Sequence, residues 1–274
     1  MLEKAELTLI KMLSKTKKVI TTPPPVLCSI ASCNYYFTEV EDCEYFHYYL
    51  CRQLKGGGME IKMKKMKKML AVCLTVVMVA ATAVGCGKFD AEGYVAACLD
   101  LLTKGETEQY TKLTGRTEEQ AEQDYENNID AMMEAMGELN LSEDLENNYR
   151  TLYKDIYKSA KYTVTGSEKM TDKDGYTVTV EIEQITGLFD GLEDEVTNRV
   201  MNEKDSLTPD ITEAEVNELV FQIMYDVLNE RMDAITYNEP ETVTVEVVGE
   251  DGVYSITEEG YTILDDALID TAGM

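Results

Sequence analysis

The chemistry open to this chain is bounded first by what it lacks. Its one histidine is His47, it has no tryptophan, and from residue 86 onward its only cysteines are Cys86 and Cys98. A Ser-His-Asp or Cys-His nucleophilic site therefore cannot be assembled in residues 86–274. A zinc site built on His and Cys ligands is excluded there for the same reason. No Gly-x-x-x-x-Gly-Lys-Ser/Thr loop is present to cradle a phosphate. What remains is carboxylates: residues 86–274 hold 45 acidic and 13 basic side chains, a net charge of −32. Two of them at the correct separation could hydrolyse a glycoside. The sequence singles out no pair, and without tryptophan the usual sugar-stacking platform is missing. Asp172-x-Asp174-Gly175 has the opening of a calcium loop, but Thr177 stands where that loop needs its sixth-position glycine. A plain Asp-Gly hairpin turn is the better reading. Met132, Met133 and Met136 could form an adaptable binding surface, but their helical spacing favours core packing. So acidic a surface repels phosphate backbones, so nucleic acid is not an expected partner. The acidic surface most simply keeps the domain solvated; it could also attract cations or a basic protein, which predicts salt-sensitive association, and a small-molecule ligand is the other partner left open. Nothing in the residues calls for a cofactor or a metal.

Cys86 is the residue with the clearest chemical context. Lys62, Lys64, Lys65, Lys67 and Lys68 precede an uncharged run of 16 residues, Met69 to Val84, which ends in Ala83-Val84-Gly85-Cys86. A basic segment, an apolar segment and small residues at the end are the parts of a secretory signal. The apolar run falls short of the roughly 20 residues of a comfortable membrane span. An ordinary signal peptide and an uncleaved anchor are the plainer alternatives. Ala83-Val84-Gly85-Cys86 resembles the lipobox of bacterial lipoproteins. The resemblance implies cleavage between Gly85 and Cys86, with diacylglycerol on the Cys86 thiol. The protein would then be anchored on the outer face of the cell membrane, its partner there the bilayer itself. Two acyl chains hold a protein stably where one does not.

This divides the chain into three parts. Residues 59–85 read as the signal peptide and 86–274 as a single mature domain of 189 residues, long enough for its own core. Residues 1–58 have a different composition, with Pro23-Pro24-Pro25, an aromatic cluster from Tyr35 to Tyr49, and Cys28, Cys33, Cys43 and Cys51 at spacings that contain no Cys-x-x-Cys pair. Lys55-Gly56-Gly57-Gly58 directly precedes Met59, as a purine-rich ribosome-binding site would if read as protein. We expect translation to start at Met59, Met63 or Met66, with 1–58 a mis-annotated extension. Cys98 lies in an apolar helical pattern and reads as a buried small hydrophobe.

Periodicity within 86–274 predicts an α+β fold. Helices are expected over Phe89–Lys104 with a cap at Gly105, over Glu106–Leu113 stopped near Gly115, and from a capping box at Thr117–Gln120 to Gly137. Further helices are expected after Ser142, over Leu192–Lys204, and after a second capping box at Thr212–Glu215. This last one reads as the most strongly amphipathic of the chain. Period-two alternation predicts one hairpin over Lys161–Ile182, turning at Asp172–Gly175, and a second over Thr242–Thr257, turning at Gly249–Gly252. The tail from Glu258 is expected to add one helical turn. Helix-then-hairpin occurs twice, over about 142–185 and 212–257, with Gly175 and Gly252 in equivalent turns. The two hairpins are expected to join into a roughly four-stranded antiparallel sheet with amphipathic helices on one face.

This order behind a lipobox resembles a group of uncharacterised lipoproteins of low-GC Gram-positive bacteria. The resemblance is carried by Tyr94-Val95, Cys98-Leu99-Asp100, Lys104-Gly105-Glu106-Thr107 and Tyr110-Thr111-Lys112-Leu113-Thr114, and more loosely by Lys161–Glu183. It implies a cystatin-like or NTF2-like curved sheet and brings no catalytic residue with it. The expected function is a non-catalytic binding or interaction module on the cell surface. The alternative is a carboxylate-dependent hydrolase of envelope or extracellular glycans.

Overall fold

A computed structural model describes residues 81–82, 89–137, 139–203 and 211–272. The expected extension 1–58, the signal segment other than 81–82, and Cys86 lie outside them.

The helices begin and end where local chemistry says they should. Helix α1 (Ala91–Lys104) opens at Asp90, whose carboxylate accepts from the Gly93 N–H at 2.9 Å, and stops at left-handed Gly105. Helix α2 (Glu108–Thr114) stops at left-handed Gly115. At the start of α3 (Glu118–Gly137), Thr117 and Gln120 exchange side-chain to backbone hydrogen bonds of 3.0 and 3.2 Å. Ser142 caps α4 (Glu143–Lys158), and Thr212 with Glu215 forms the capping box of α6 (Glu213–Met232). Each such cap satisfies orphan N–H groups and contributes about 1 kcal/mol. Helix α5 spans Leu192–Glu203.

Both expected hairpins form. Strands β2 (Lys161–Lys169) and β3 (Gly175–Glu183) make the first, and β6 (Glu241–Glu250) and β7 (Val253–Ile256) the second. They join through antiparallel β3–β6 pairing, Val178 opposite Val245, into a sheet of order β7-β6-β3-β2. The two-residue β1 (Ala81–Thr82) adds to the β7 edge. Since β1 precedes Cys86, cleavage at Gly85 would remove it and leave β7 as the edge. A second small sheet pairs β4 (Ile185–Thr186) with β5 (Thr236–Tyr237).

Alternation sends Val178, Val180, Ile182, Val245, Val247 and Ile256 into the core, while Thr163, Thr242, Thr244 and Glu246 face solvent on the other side. Helices α1 and α7 (Glu258–Leu268) lie directly on the inner face. The fold is α+β with helices on one face, as the pattern predicts.

Three expectations need correction. Residues after Glu258 make an 11-residue helix, α7, rather than one turn. Its Tyr261, Leu264 and Leu268 are buried, and at Gly260 a Cβ would come within 2.9 Å of Ile256, so the glycine permits close seating on β7. Helix α6 is not the most amphipathic. It packs against both α4 and α5, which buries Phe221 as well as the expected stripe, whereas α4 has one sharply apolar side. The two hairpin turns are not equivalent. Asp251 and Gly252 both have positive φ in a two-residue turn, whereas Gly175 begins β3 with its Cα hydrogens close to the Val247 carbonyl.

Cys98 is buried at 3% exposure, and Met132 and Met136 are likewise core residues. Burial pushes the Cys98 thiol up to about 12, although hydrogen bonding with Tyr94 and Tyr261 pulls the other way. Its reaction with a thiol reagent in the native protein is expected to be at least about 100-fold slower than in denaturant. A rate unchanged by unfolding would contradict this burial.

Candidate functional site

Gly85 and Cys86, the residues the sequence singles out for cleavage and lipid attachment, lie outside the described residues. The ring of Phe89, the first described residue after them, stacks on Tyr254 at 4.1 Å and 11°, and contacts Tyr94 and Tyr176 at 5.5 and 5.8 Å. This aromatic cluster sits at the turn end of the sheet. The Gly249 N–H donates there to the Asp174 carbonyl at 2.9 Å. The Asp174 carboxylate accepts from the Tyr254 hydroxyl at 3.2 Å and faces Lys169 at 3.8 Å. Asp172-x-Asp174-Gly175 is thus a hairpin connection whose second acid ties two turns together. Among the described residues, no group of three or more His, Cys, Asp or Glu could hold a metal ion.

At the opposite end of the sheet is a polar cleft that sequence reasoning missed. It has a volume of about 250 Å3 and is lined by Lys104, Lys161, Tyr162, Thr163, Glu181, Glu183 and Pro240, with Ala160 behind them. The last turn of α1 supplies Lys104, the start of β2 supplies Lys161 and Tyr162, and the end of β3 supplies the two glutamates. Lys104 Nζ donates to Asp100 at 2.7 Å and lies 4.5 Å from the Tyr162 ring centre. The Tyr162 hydroxyl donates to the same Asp100 oxygen at 2.7 Å and meets the Thr103 hydroxyl at 2.9 Å. Lys161 Nζ sits 3.6 Å over the Tyr237 ring and 3.7 Å from Glu183.

The electrostatics keep this corner charged. Burial opposes the Lys104 ammonium, but its hydrogen bonds to Asp100 and Tyr162 outweigh that and hold its pKa above the usual lysine value. Burial pushes the Tyr162 phenol up to about 12, so it stays protonated and can donate. The cleft therefore offers two ammonium groups, a phenol and two carboxylates in one concavity. That set suits a small ligand with an anionic group for the lysines or an amine for the glutamates. Glu181 and Glu183 share one side of β3, about 7 Å apart along the strand. The two carboxyls stand side by side on one strand rather than flanking the cleft. The β2–β3 hairpin alone sets Lys161 opposite Glu183 and Thr163 opposite Glu181, but no local signal adds Lys104, which reaches the cleft because α1 lies against β2 and β3.

A second cavity, of about 240 Å3, lies between α5 and α6 and is lined in part by Arg199, Asn202, Ile223 and Asp226. Arg199 is already held there by Glu195 at 2.6 Å and Glu230 at 2.8 Å.

Other acids are bound into the structure itself. Asp124, buried on α3, pairs with Arg116 and accepts from the Tyr110 hydroxyl at 3.3 Å. Half-buried Asp265 on α7 accepts from the Tyr157 hydroxyl of α4 at 3.0 Å.

No family model matches the chain, and no curated protein matches it. One solved structure is similar to part of it: YcdA of Bacillus subtilis, a presumed lipoprotein, at 18% identity and a TM-score of 0.45. The similarity covers 66% of this chain and 56% of that one, so this chain matches little more than half of the YcdA chain. Among the described residues, no helix is long and apolar enough to cross a membrane.

Proposed function

We propose that this protein is a lipid-anchored protein of the outer face of a Gram-positive cell membrane, whose folded domain is a non-catalytic binding or interaction module. The observation that carries the reading is the run from Lys62 to Cys86. It places basic residues, an uncharged stretch and a small-residue cut with its cysteine a few residues ahead of helix α1, which opens at Asp90. The domain's make-up supports a binding role. Its core is a continuous apolar cluster, and a concave, charge-bearing cleft lies around Lys104, Lys161 and Tyr162. Hydrolysis of envelope glycans would need carboxyls on both sides of a bound sugar, and the pair in the cleft stands on one strand.

Metabolic labelling with tritiated palmitate in a Gram-positive host tests the anchor. The wild-type chain is expected to incorporate label and to fractionate with membranes. Cys86→Ser is expected to lose essentially all incorporation. Intact mass should begin at Cys86 and carry diacylglycerol. Equal labelling of the two forms, or a native species that begins ahead of Cys86 without acyl groups, would overturn the proposal.

A further inference from the structure

Only Gly87 and Lys88 separate Cys86 from Phe89. Phe89 is not free to swing, because its ring is packed on Tyr94, Tyr176 and Tyr254. Three Cα–Cα steps reach at most about 11 Å. A lipid on Cys86 therefore has a leash of at most that length, fixed at the turn end of the sheet. The β2–β3 and β6–β7 connections meet at this end through the Gly249–Asp174 hydrogen bond.

The cleft lies at the other end. Strand β3 runs from Gly175 at the turns to Glu183 at the cleft, a rise of about 27 Å for eight steps. Helix α1 runs the same way. Glu92 in its first turn accepts from Ser167 at 2.9 Å, near the turns, and Thr103 in its last turn meets Tyr162. A domain of this length has a radius of roughly 20 Å, so an 11 Å leash limits its tilt against a flat surface to roughly 60°.

We infer that the anchor orients the domain: the turn end bearing Phe89, Asp172 and Glu250 faces the lipid surface, and the cleft of Lys104, Lys161 and Glu183 faces outward. This rests on the lipid anchor proposed above. The partner at the turn end is the bilayer surface, and the cleft is left free for a ligand arriving from outside. Charge does not set this orientation. The turn end carries Asp172, Asp174, Glu250 and Asp251 against Lys169 and Lys173, so it has no attraction for anionic lipid. The short leash does.

The test uses lipidated protein purified from a Gram-positive host and reconstituted on phosphatidylcholine vesicles containing headgroup-nitroxide lipid. A fluorophore is placed at the turn end by Asp172→Cys, or by Glu250→Cys as a second near position, and at the cleft end by Glu239→Cys. All three positions are exposed, and buried Cys98 stays unlabelled. Quenching at residue 172 or 250 is expected to exceed that at 239 at least threefold. Inserting 20 Gly/Ser residues after Gly87 is expected to bring the ratio close to one. Equal quenching at both ends in protein that floats with the vesicles overturns the orientation and leaves the anchor standing. A ratio unchanged by the insertion also overturns it. Protein that is unacylated and does not float overturns the anchor reading itself, and this inference with it.

Discussion

Asp265→Asn is expected to stabilise the protein at pH 8 by about 2 kcal/mol and to change little at pH 4. Burial among α7 and its neighbours pushes the Asp265 carboxyl up to about 7. The Tyr157 hydroxyl opposes that shift, and neighbouring Asp266 adds to it. In the unfolded chain the same group titrates near the ordinary aspartate value, about 4. Below about pH 4 both states hold the proton and there is no penalty. Between about 4 and 7 the folded state holds it and the unfolded state does not, so stability falls as pH rises through that window. Above about 7 the folded protein carries a charge that its surroundings oppose. A full shift of this size would cost roughly 4 kcal/mol, and we expect about half because the residue is only half-buried. The asparagine keeps an acceptor for Tyr157 and carries no charge. Removing any acid from so anionic a domain relieves some repulsion, so exposed Asp190→Asn, which is not among the groups acting on Asp265, is the control. Thermal unfolding from pH 4.5 to 8 should show the Asp265 variant pulling ahead by roughly 4–8 °C at the alkaline end. Curves for wild type and variant that run parallel across the range would refute the assignment.

Asp124→Ala is expected to cost about 3 kcal/mol in urea unfolding at pH 7. Asp124 holds Arg116, in the connection between α2 and α3, and the hydroxyl of buried Tyr110. Truncation leaves a partly buried guanidinium and a buried phenol without their acceptor. The Arg116 side chain is 30% exposed, so water recovers part of the loss, and the cost falls at the low end for a broken buried pair. Tyr110→Phe, which removes one neutral donor, should cost nearer 1 kcal/mol. Combining Asp124→Ala with Arg116→Met should cost at least 1 kcal/mol less than the sum of the two single changes, because both charges leave together. A single-variant cost under about 1 kcal/mol would show that the pair behaves as an ordinary surface contact.

The elements read from the sequence are those whose signals are local. Thr117 with Gln120, Ser142, and Thr212 with Glu215 mark helix starts because an N-cap acts within three residues of itself. Gly105 and Gly115 mark stops because a left-handed residue ends a helix whatever surrounds it. The hairpins were legible because one buried face imposes period two. Helix α7 is longer than its sequence suggests, because Glu258-Glu259-Gly260 looks like a loop until β7 is beneath it. The turn of the second hairpin is tighter than Gly249–Gly252, because β6 continues through Glu250 into a two-residue turn at Asp251 and Gly252.

By itself the sequence determined the chemistry available to this protein, most of its helices and its two hairpins, and the three-residue spacing of Phe89 from Cys86. Composition and chain length set those limits before any contact forms. Only the tertiary structure decided which acids are buried, that α1 and α7 rather than α4 and α6 lie on the sheet, and that Lys104, Lys161 and Glu183 share one cleft. Those residues come from separate elements. What joins them is packing across the whole domain, and a local pattern carries no record of it.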